Sequence, residues 1–193
     1  MNYWIERTIN NTSWLRFIIW VTLYISASIW AFALPGPWQT IFELTGSKEG
    51  APQLPSTLIG FHPDQPTLAF SKIGSAMDQY LLFQLIDIPL AIIATFLTIT
   101  VIAAGLKRFN LGATAFRFLL LLPLIYLFAE IVENAFLISM ATSTIAAQGL
   151  VVIAQQSVTT AKIIINLAND VNMLVAVCAL AIGIFFRKRN HKQ

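Results

Sequence analysis

The segment Tyr80–Leu106, YLLFQLIDIPLAIIATFLTITVIAAGL, decides the class of this chain. It exceeds the roughly 18 apolar residues that a helix needs to cross a bilayer, and Asp87 is its only charged residue. Three further segments meet the same criterion, and they are Phe17–Leu34, Phe118–Ala141 and Ile163–Phe186. The sequence therefore predicts an all-α integral membrane four-helix bundle with spans near residues 17–34, 80–106, 118–141 and 163–186.

The composition favours the same class. Apolar residues make up 57% of the 193 residues and charged residues 11%, whereas a soluble domain has roughly 25% charged residues. A chain of this length suits a single domain over residues 1–193. The net charge of +3 reflects basic residues placed around the spans, so we predict a lipid bilayer as partner and no nucleic acid.

The basic residues predict the orientation. Because cytoplasmic loops are enriched in lysine and arginine, the side with more of them is predicted to be cytoplasmic. Nine of the twelve lie on the side of both termini: Arg7, Arg16, Lys107, Arg108, Arg117, Arg187, Lys188, Arg189 and Lys192. The other three, Lys48, Lys72 and Lys162, are predicted to be outside. We therefore expect a multi-pass protein of the cell membrane with both termini in the cytoplasm.

The outer loop, residues 35–79, differs from the rest of the chain. It holds six of the eight prolines, which divide regular structure into short pieces. Its aromatic and aliphatic residues favour a packed cap over a floppy tether. The string Phe61-His62-Pro63-Asp64 can fold over the membrane-embedded acids and add His62 and Asp64 to them. A solvated loop histidine is the alternative.

Four carboxylic acids lie inside the predicted spans, and they are Asp87, Glu130, Glu133 and Asp170. An ionised acid near the centre of a membrane helix costs roughly 3 kcal/mol. No lysine or arginine is predicted at the same depth to neutralise these four. They must therefore be protonated and hydrogen-bonded across helices, or be compensated by a proton, a metal ion or an organic cation.

The spacing of polar residues predicts one shared pocket, because residues three and four apart lie on the same face of a helix. Three spans carry such sets: Tyr80, Gln84 and Asp87; Glu130, Glu133 and Asn134; Asn166, Asn169 and Asp170. At 1.5 Å per residue the three sets of carboxyl and amide groups lie about 4 to 16 Å below the outer surface. Since membrane-embedded acids usually face the bundle interior, we expect the three faces to converge on a pocket that opens outward. Hydrogen bonding that only joins helices is the alternative.

The residue types in this pocket restrict its chemistry. Carboxylate and amide oxygens suit a hard divalent cation such as Ca²⁺, Mg²⁺ or Mn²⁺, with Asp87, Glu133 and Asp170 as ligands. A di-iron site would need a Glu-x-x-His partner, which the spans lack. The sequence also has no phosphate-binding glycine loop, thiol–imidazole pair or zinc-protease motif.

A short pattern suggests a family. It consists of Pro63-Asp64, Tyr80-Leu81, Asp87, Pro89, Pro123 and Glu130-Ile131-Val132-Glu133-Asn134. The pattern resembles a family of uncharacterised bacterial four-helix integral membrane proteins with an Asp in span two and an acid-x-x-Glu-Asn in span three. Those proteins have an arginine before the tyrosine of span two, where this chain has Asp78 and Gln79, so a charge pair with that arginine does not carry over. The resemblance covers residues from about Pro63 to Asn134 and implies the four-span fold in a bacterial inner membrane, without an assigned activity.

Three functions remain open from the sequence. The first is binding of a cation or proton in the acidic and amide pocket. The alternative is a non-catalytic accessory or assembly subunit of a larger complex with other membrane protein subunits. The third is a lipid-modifying enzyme that uses two opposed acids, although the absence of catalytic motifs favours a protein that is not an enzyme.

Overall fold

The computed structural model describes residues 2–33, 36–45, 54–57 and 59–190, and no β-strand occurs among them. Seven α-helices are present in these ranges: α1 (Asn2–Asn10), α2 (Trp14–Ser28), α3 (Pro37–Thr45), α4 (Gln65–Ile73), α5 (Met77–Arg108), α6 (Leu122–Ala141) and α7 (Leu150–Asn190). Short 3-10 helices lie at Pro55–Thr57, Gly74–Ala76, Leu111–Ala113 and Ala115–Leu121, and a π-helical turn extends α2 over Ile29–Ala33. The predicted all-α class is confirmed.

In the described part of the chain, four helical stretches are long and apolar enough to cross a membrane. They are Trp14–Phe32, Gln65–Arg108, Ala115–Ala141 and Leu150–Ala181. Each overlaps one predicted span, which fits a multi-pass membrane protein. Several positions used to predict the orientation and the loop, among them Pro35, Lys48, Pro52 and Lys192, lie outside the described residues.

The fourth helix begins well before the predicted membrane span. Helix α7 begins at Leu150, whereas the sequence placed the start of the span near Ile163. Gly149, with a φ of 59°, precedes the first helical residue and provides a backbone conformation that glycine adopts readily. Polar residues at positions 155–162 lower the local hydropathy, which is why a hydropathy criterion starts the helix too late. Lys162 consequently lies within α7 and not in front of it.

The described chain divides into two compact units. The first unit contains Met1–Tyr24, Ile93–Tyr126 and Ile165–Gln193, and the second contains Ile25–Ile92 and Leu127–Ile164. Helices α5, α6 and α7 contribute residues to both. The prediction of a single domain stays a prediction.

The first unit is held together by α1, the later part of α5 and the 3-10 helix before α6. Its apolar core contains Ile5, Ile9, Ile99, Ile102, Ala103, Leu106 and Leu120. Lys107 Nζ donates hydrogen bonds to the carbonyl oxygens of Asn10, at 2.8 Å, and Thr12, at 3.2 Å, which secures the C-terminal end of α1. A Cβ atom added to Gly105 would lie 3.0 Å from Cβ of Ala176, so α5 and α7 approach each other closely here.

The second unit packs the loop helices against the ends of the long helices. One apolar cluster joins Ile41, Leu54, Ile73 and Tyr80, and another joins Leu137, Met140 and Val152. The rings of Phe70 and Tyr80 contact each other, with centroids 5.6 Å apart. These clusters fix the start of α5 beside α6 and α7, and they thereby position the polar residues described next.

Candidate functional site: a buried acid–lysine cluster

Helix α6 directs three polar side chains into the interior of the second unit. The exposed fractions of Glu130, Glu133 and Asn134 are 3%, 0% and 1%. Their spacing of three and four residues places them on one face of the helix, as the sequence indicates. Buried carboxylates at such positions require a compensating charge or a proton.

Lys162 supplies a compensating charge to two of the acids. Its Nζ lies 3.2 Å from Oε1 of Glu130 and is in direct contact with Oε2 of Glu133. The exposed fraction of Lys162 is 9%, so these ion pairs are largely shielded from solvent. The expectation that no lysine or arginine neutralises the acids is therefore wrong for Glu130 and Glu133. The error follows from the start of α7, because a helix that begins at Leu150 carries Lys162 to the same level as the glutamates.

The other carboxylate oxygen of Glu133 is also hydrogen-bonded to a side chain of α7. Thr159 Oγ1 donates to Oε1 of Glu133, and Gln155 Nε2 donates to Oγ1 of Thr159 at 2.7 Å. Gln155, Thr159 and Lys162 lie four and three residues apart and therefore share one face of α7. Sequence reasoning missed these three residues, although their periodic spacing within an apolar helix was a usable signal.

Helix α5 adds the third acid. Oδ2 of Asp87 accepts a hydrogen bond of 3.3 Å from Nδ2 of Asn134. The carboxyl groups of Asp87 and Glu130 also lie within hydrogen-bonding range of each other. An ionised carboxylate only accepts hydrogen bonds, so a hydrogen bond between these two groups requires a proton on one of them. We call Asp87, Glu130, Glu133 and Lys162 the acid–lysine cluster.

The other predicted residues of α5 lie beside this cluster. Tyr80 is fully buried, and its hydroxyl has no hydrogen-bond partner among the described residues. Gln84 is also buried, and its Nε2 atom has no hydrogen-bond partner among the residues that the structure describes. The same holds for Oε1 of Gln155. The cluster therefore has unsatisfied amide groups on two sides.

The charges in the cluster do not balance. Three carboxyl groups face one ammonium group, so full ionisation would leave an excess of two negative charges. A shared proton between Asp87 and Glu130 reduces that excess to one. Since separated buried charges carry a large desolvation penalty, the arrangement favours a cluster that holds at least one proton.

The outer loop contacts α7, but not in the way the sequence predicted. The backbone N–H of His62 donates to Oε1 of Gln156 at 2.6 Å, and Nε2 of Gln156 donates to the carbonyl oxygen of His62 at 2.7 Å. The backbone N–H of Gly60 donates to Oγ1 of Thr160 at 3.1 Å. The imidazole of His62 is exposed and lies 3.1 Å from the carbonyl oxygen of Ile59, and Asp64 precedes α4 as an exposed N-cap residue. The expectation that both side chains add to the acids is wrong, because the loop binds α7 through its backbone.

The predicted polar set of the fourth span lies in the first unit. Asn166 Nδ2 donates to Oδ2 of Asp170 at 3.4 Å, and Asn169 is buried with an exposed fraction of 4%. These three residues line a cavity together with other residues of the first unit, including Thr95. The prediction that they share one pocket with Asp87 joins residues of both units and stays a prediction.

The next feature is the predicted metal site, for which the described residues show no ready set of ligands. Within residues 2–33, 36–45, 54–57 and 59–190, no group of three or more His, Cys, Asp or Glu side chains is arranged to hold a metal ion. Both carboxylate oxygens of Glu133 already accept from Lys162 or Thr159. A divalent cation bound by Asp87, Glu133 and Asp170 stays a prediction.

Comparisons with known proteins add no family to this picture. No protein-family model, curated protein or solved structure matches the chain. The resemblance to bacterial four-helix membrane proteins stays a prediction.

Proposed function

We propose that the protein is a multi-pass protein of a bacterial cell membrane that binds and releases a proton at the acid–lysine cluster. Both termini are cytoplasmic in this proposal, following the distribution of basic residues. The proton is held between Asp87 and Glu130, while Lys162 neutralises Glu133. The four long apolar helices support the membrane location.

The observation that carries the proposal is the position of Lys162 between two glutamates, with a third acid in range of one of them. An ammonium group at this position repels a divalent metal ion. The remaining pair of acids, Asp87 and Glu130, can instead be stabilised by a single shared proton. Ionisable residues inside membrane helices commonly mark proton or ion pathways. A proton is therefore the ligand that the cluster accommodates with the least rearrangement.

Neighbouring hydrogen bonds support a defined geometry for the exchange. Thr159 and Lys162 each donate a hydrogen bond to one carboxylate oxygen of Glu133, so the orientation of that carboxylate is fixed. Asp87 has Asn134 as its donor and Glu130 as its neighbour, and it is half-buried. Asp87 has the largest exposed fraction of the three acids in the cluster, and we assign it as the group that exchanges the proton.

Infrared difference spectroscopy of the purified protein in lipid tests this proposal. A protonated carboxyl group gives a C=O stretching band that a carboxylate lacks. We expect such a band in the wild type, with an amplitude that changes with pH, and we expect Asp87→Asn to remove the change. The control is Asp78→Asn, which alters an exposed acid on the same helix and should keep it.

A band that does not change with pH would contradict proton exchange. The cluster would then serve to join α5, α6 and α7, as expected for a non-catalytic accessory subunit. One observation favours that second candidate, since none of the residues of α2 is buried and most of its apolar side chains are exposed, where a partner subunit or lipid can contact them. A lipid-modifying activity has no comparable support in the geometry.

A further inference from the structure

Helix α7 contacts the acid–lysine cluster with one face and the outer loop with the adjacent face. Thr159 and Lys162 donate to the carboxylate of Glu133. Gln156 and Thr160 are hydrogen-bonded to the backbone of the outer loop. Consecutive residues lie about 100° apart around an α-helix, and all five residues belong to the second unit. The orientation of this part of α7 is therefore held from two directions.

The side-chain amide of Gln156 forms a pair of hydrogen bonds with a single loop residue. It accepts from the backbone N–H of His62 at 2.6 Å and donates to the carbonyl oxygen of the same residue at 2.7 Å. The exposed fraction of Gln156 is 2%, and a buried amide that loses its partners is costly, so these bonds hold the side chain in one position. One turn further along α7, Oγ1 of Thr160 accepts from the backbone N–H of Gly60 at 3.1 Å. We call residues 60–62 the strap.

The strap is anchored to α4 at its other end. The carbonyl oxygen of His62 also accepts from the backbone N–H of Gln65, the first residue of α4, at 3.1 Å. Helix α4 buries Ala69 and Ile73, and Ile73 belongs to the same apolar cluster as Tyr80 of α5. A rotation of α7 in the second unit would therefore have to break its bonds to the strap or move a packed helix.

The ion pairs of the cluster depend on that orientation. Nζ of Lys162 contacts Glu133 and lies 3.2 Å from Oε1 of Glu130. Hydrogen bonds of this kind have lengths of about 2.7–3.2 Å, so a rotation of α7 that moves Nζ away by about 1 Å would break the contact with Glu130. The acids lie on α6, which the strap does not bind through these hydrogen bonds, so the strap acts on the cluster from the side of α7.

We propose that Gln156 and Thr160 are positioning residues of the acid–lysine cluster. By binding the strap, they hold α7 in the orientation in which Lys162 meets the two glutamates. They act through Lys162, and they do not exchange the proton themselves. The role of the cluster in this proposal rests on the proposed function, whereas the positioning of Lys162 can be measured without proton exchange.

The rate at which Lys162 reacts with acetic anhydride tests the proposal. The full-length protein in detergent is treated briefly, and acetylation of each lysine is measured by mass spectrometry. In the wild type we expect slow acetylation of Lys162, which is buried and ion-paired, and fast acetylation of the exposed Lys72. Thr160→Val removes one hydrogen bond to the strap and should raise the rate at Lys162 about fivefold, because local opening changes by about that factor for each bond. Gln156→Ala removes two bonds and should raise the rate further.

Three controls isolate the effect of the strap, with the rate at Lys72 as the internal reference. Thr160→Ser retains the hydroxyl that accepts from the strap and should keep the wild-type rate at Lys162. Ser157→Ala changes an exposed residue of α7 whose hydroxyl donates to the carbonyl oxygen of Ile153 in the same helix, and it should have no effect. Gly105→Val destabilises the first unit and should also leave the rate unchanged, which separates the strap from a general loss of stability.

An unchanged rate at Lys162 in both Thr160→Val and Gln156→Ala would overturn the positioning role. An equal rise in Thr160→Ser or in Gly105→Val would overturn it as well. If Gln156→Ala does not fold, Thr160→Val decides alone. A wild-type carboxyl band that does not change with pH would contradict the proposed function without altering these rates, so the two failures are distinguishable.

Discussion

The substitution Lys162→Met removes the counter-ion of the acid–lysine cluster and keeps most of the side-chain volume. In the wild type, Nζ of Lys162 contacts Glu133 and lies 3.2 Å from Glu130, and the residue is 9% exposed. Removing one partner of a buried ion pair leaves an uncompensated charge and costs about 3–5 kcal/mol. That loss is a large part of a typical stability of about 5–15 kcal/mol.

The loss should be visible in thermal unfolding of the protein in detergent. For a chain of this size, 1 kcal/mol corresponds to a shift of about 2–4 °C in Tm, so Lys162→Met should lower Tm by roughly 10 °C. Lys72→Met, which removes an exposed lysine from α4, is the matched control and should change Tm little. Equal Tm values for the two variants would refute the buried ion pairs.

Further predictions concern the packing, the loop and the orientation. Gly105→Val should destabilise the protein by about 1–3 kcal/mol in thermal unfolding, because even a Cβ atom would lie 3.0 Å from Ala176, whereas Gly112→Ala has room 3.5 Å from Ile9 and should be tolerated. Gln156→Ala removes both hydrogen bonds to the backbone of His62 and should speed amide hydrogen exchange at His62, with Gln39→Ala as control; unchanged exchange would show that the loop is held elsewhere. Cysteines placed at Ser47 and Gln193 in a Cys178→Ala background lie outside the described residues and test orientation. Only Ser47 should react with an impermeant thiol reagent on intact cells, and equal labelling would exclude the predicted orientation.

The sequence predicted the helices and one face of the site because both depend on local patterns. Long apolar runs define spanning helices, and the spacing of Glu130, Glu133 and Asn134 puts them on one face whatever they pack against. The same pattern placed Asp87 in the adjacent span, where it accepts a hydrogen bond from Asn134.

The partner of the glutamates could not be predicted in the same way. Hydropathy gave Ile163 as the start of the fourth span, and that choice left Lys162 one residue outside the predicted span. The contact between His62 and Gln156 could not be predicted for another reason. It uses the backbone N–H and carbonyl groups of a loop residue, and every residue type has these groups. In both cases the deciding information was where a segment begins or which backbone group faces a side chain.

A double-mutant cycle tests whether Lys162 is the internal counter-ion of Glu133. The cycle compares the free energies of unfolding of the wild type, Lys162→Met, Glu133→Gln and the double variant in detergent at neutral pH. We expect Lys162→Met to destabilise strongly, since it leaves the buried Glu133 carboxylate without its counter-ion, and Glu133→Gln to destabilise less, since Glu130 still pairs with Lys162. The double variant should be more stable than the sum of the single effects predicts by about 1–3 kcal/mol. Strictly additive effects would contradict the ion pair and with it the account of the cluster.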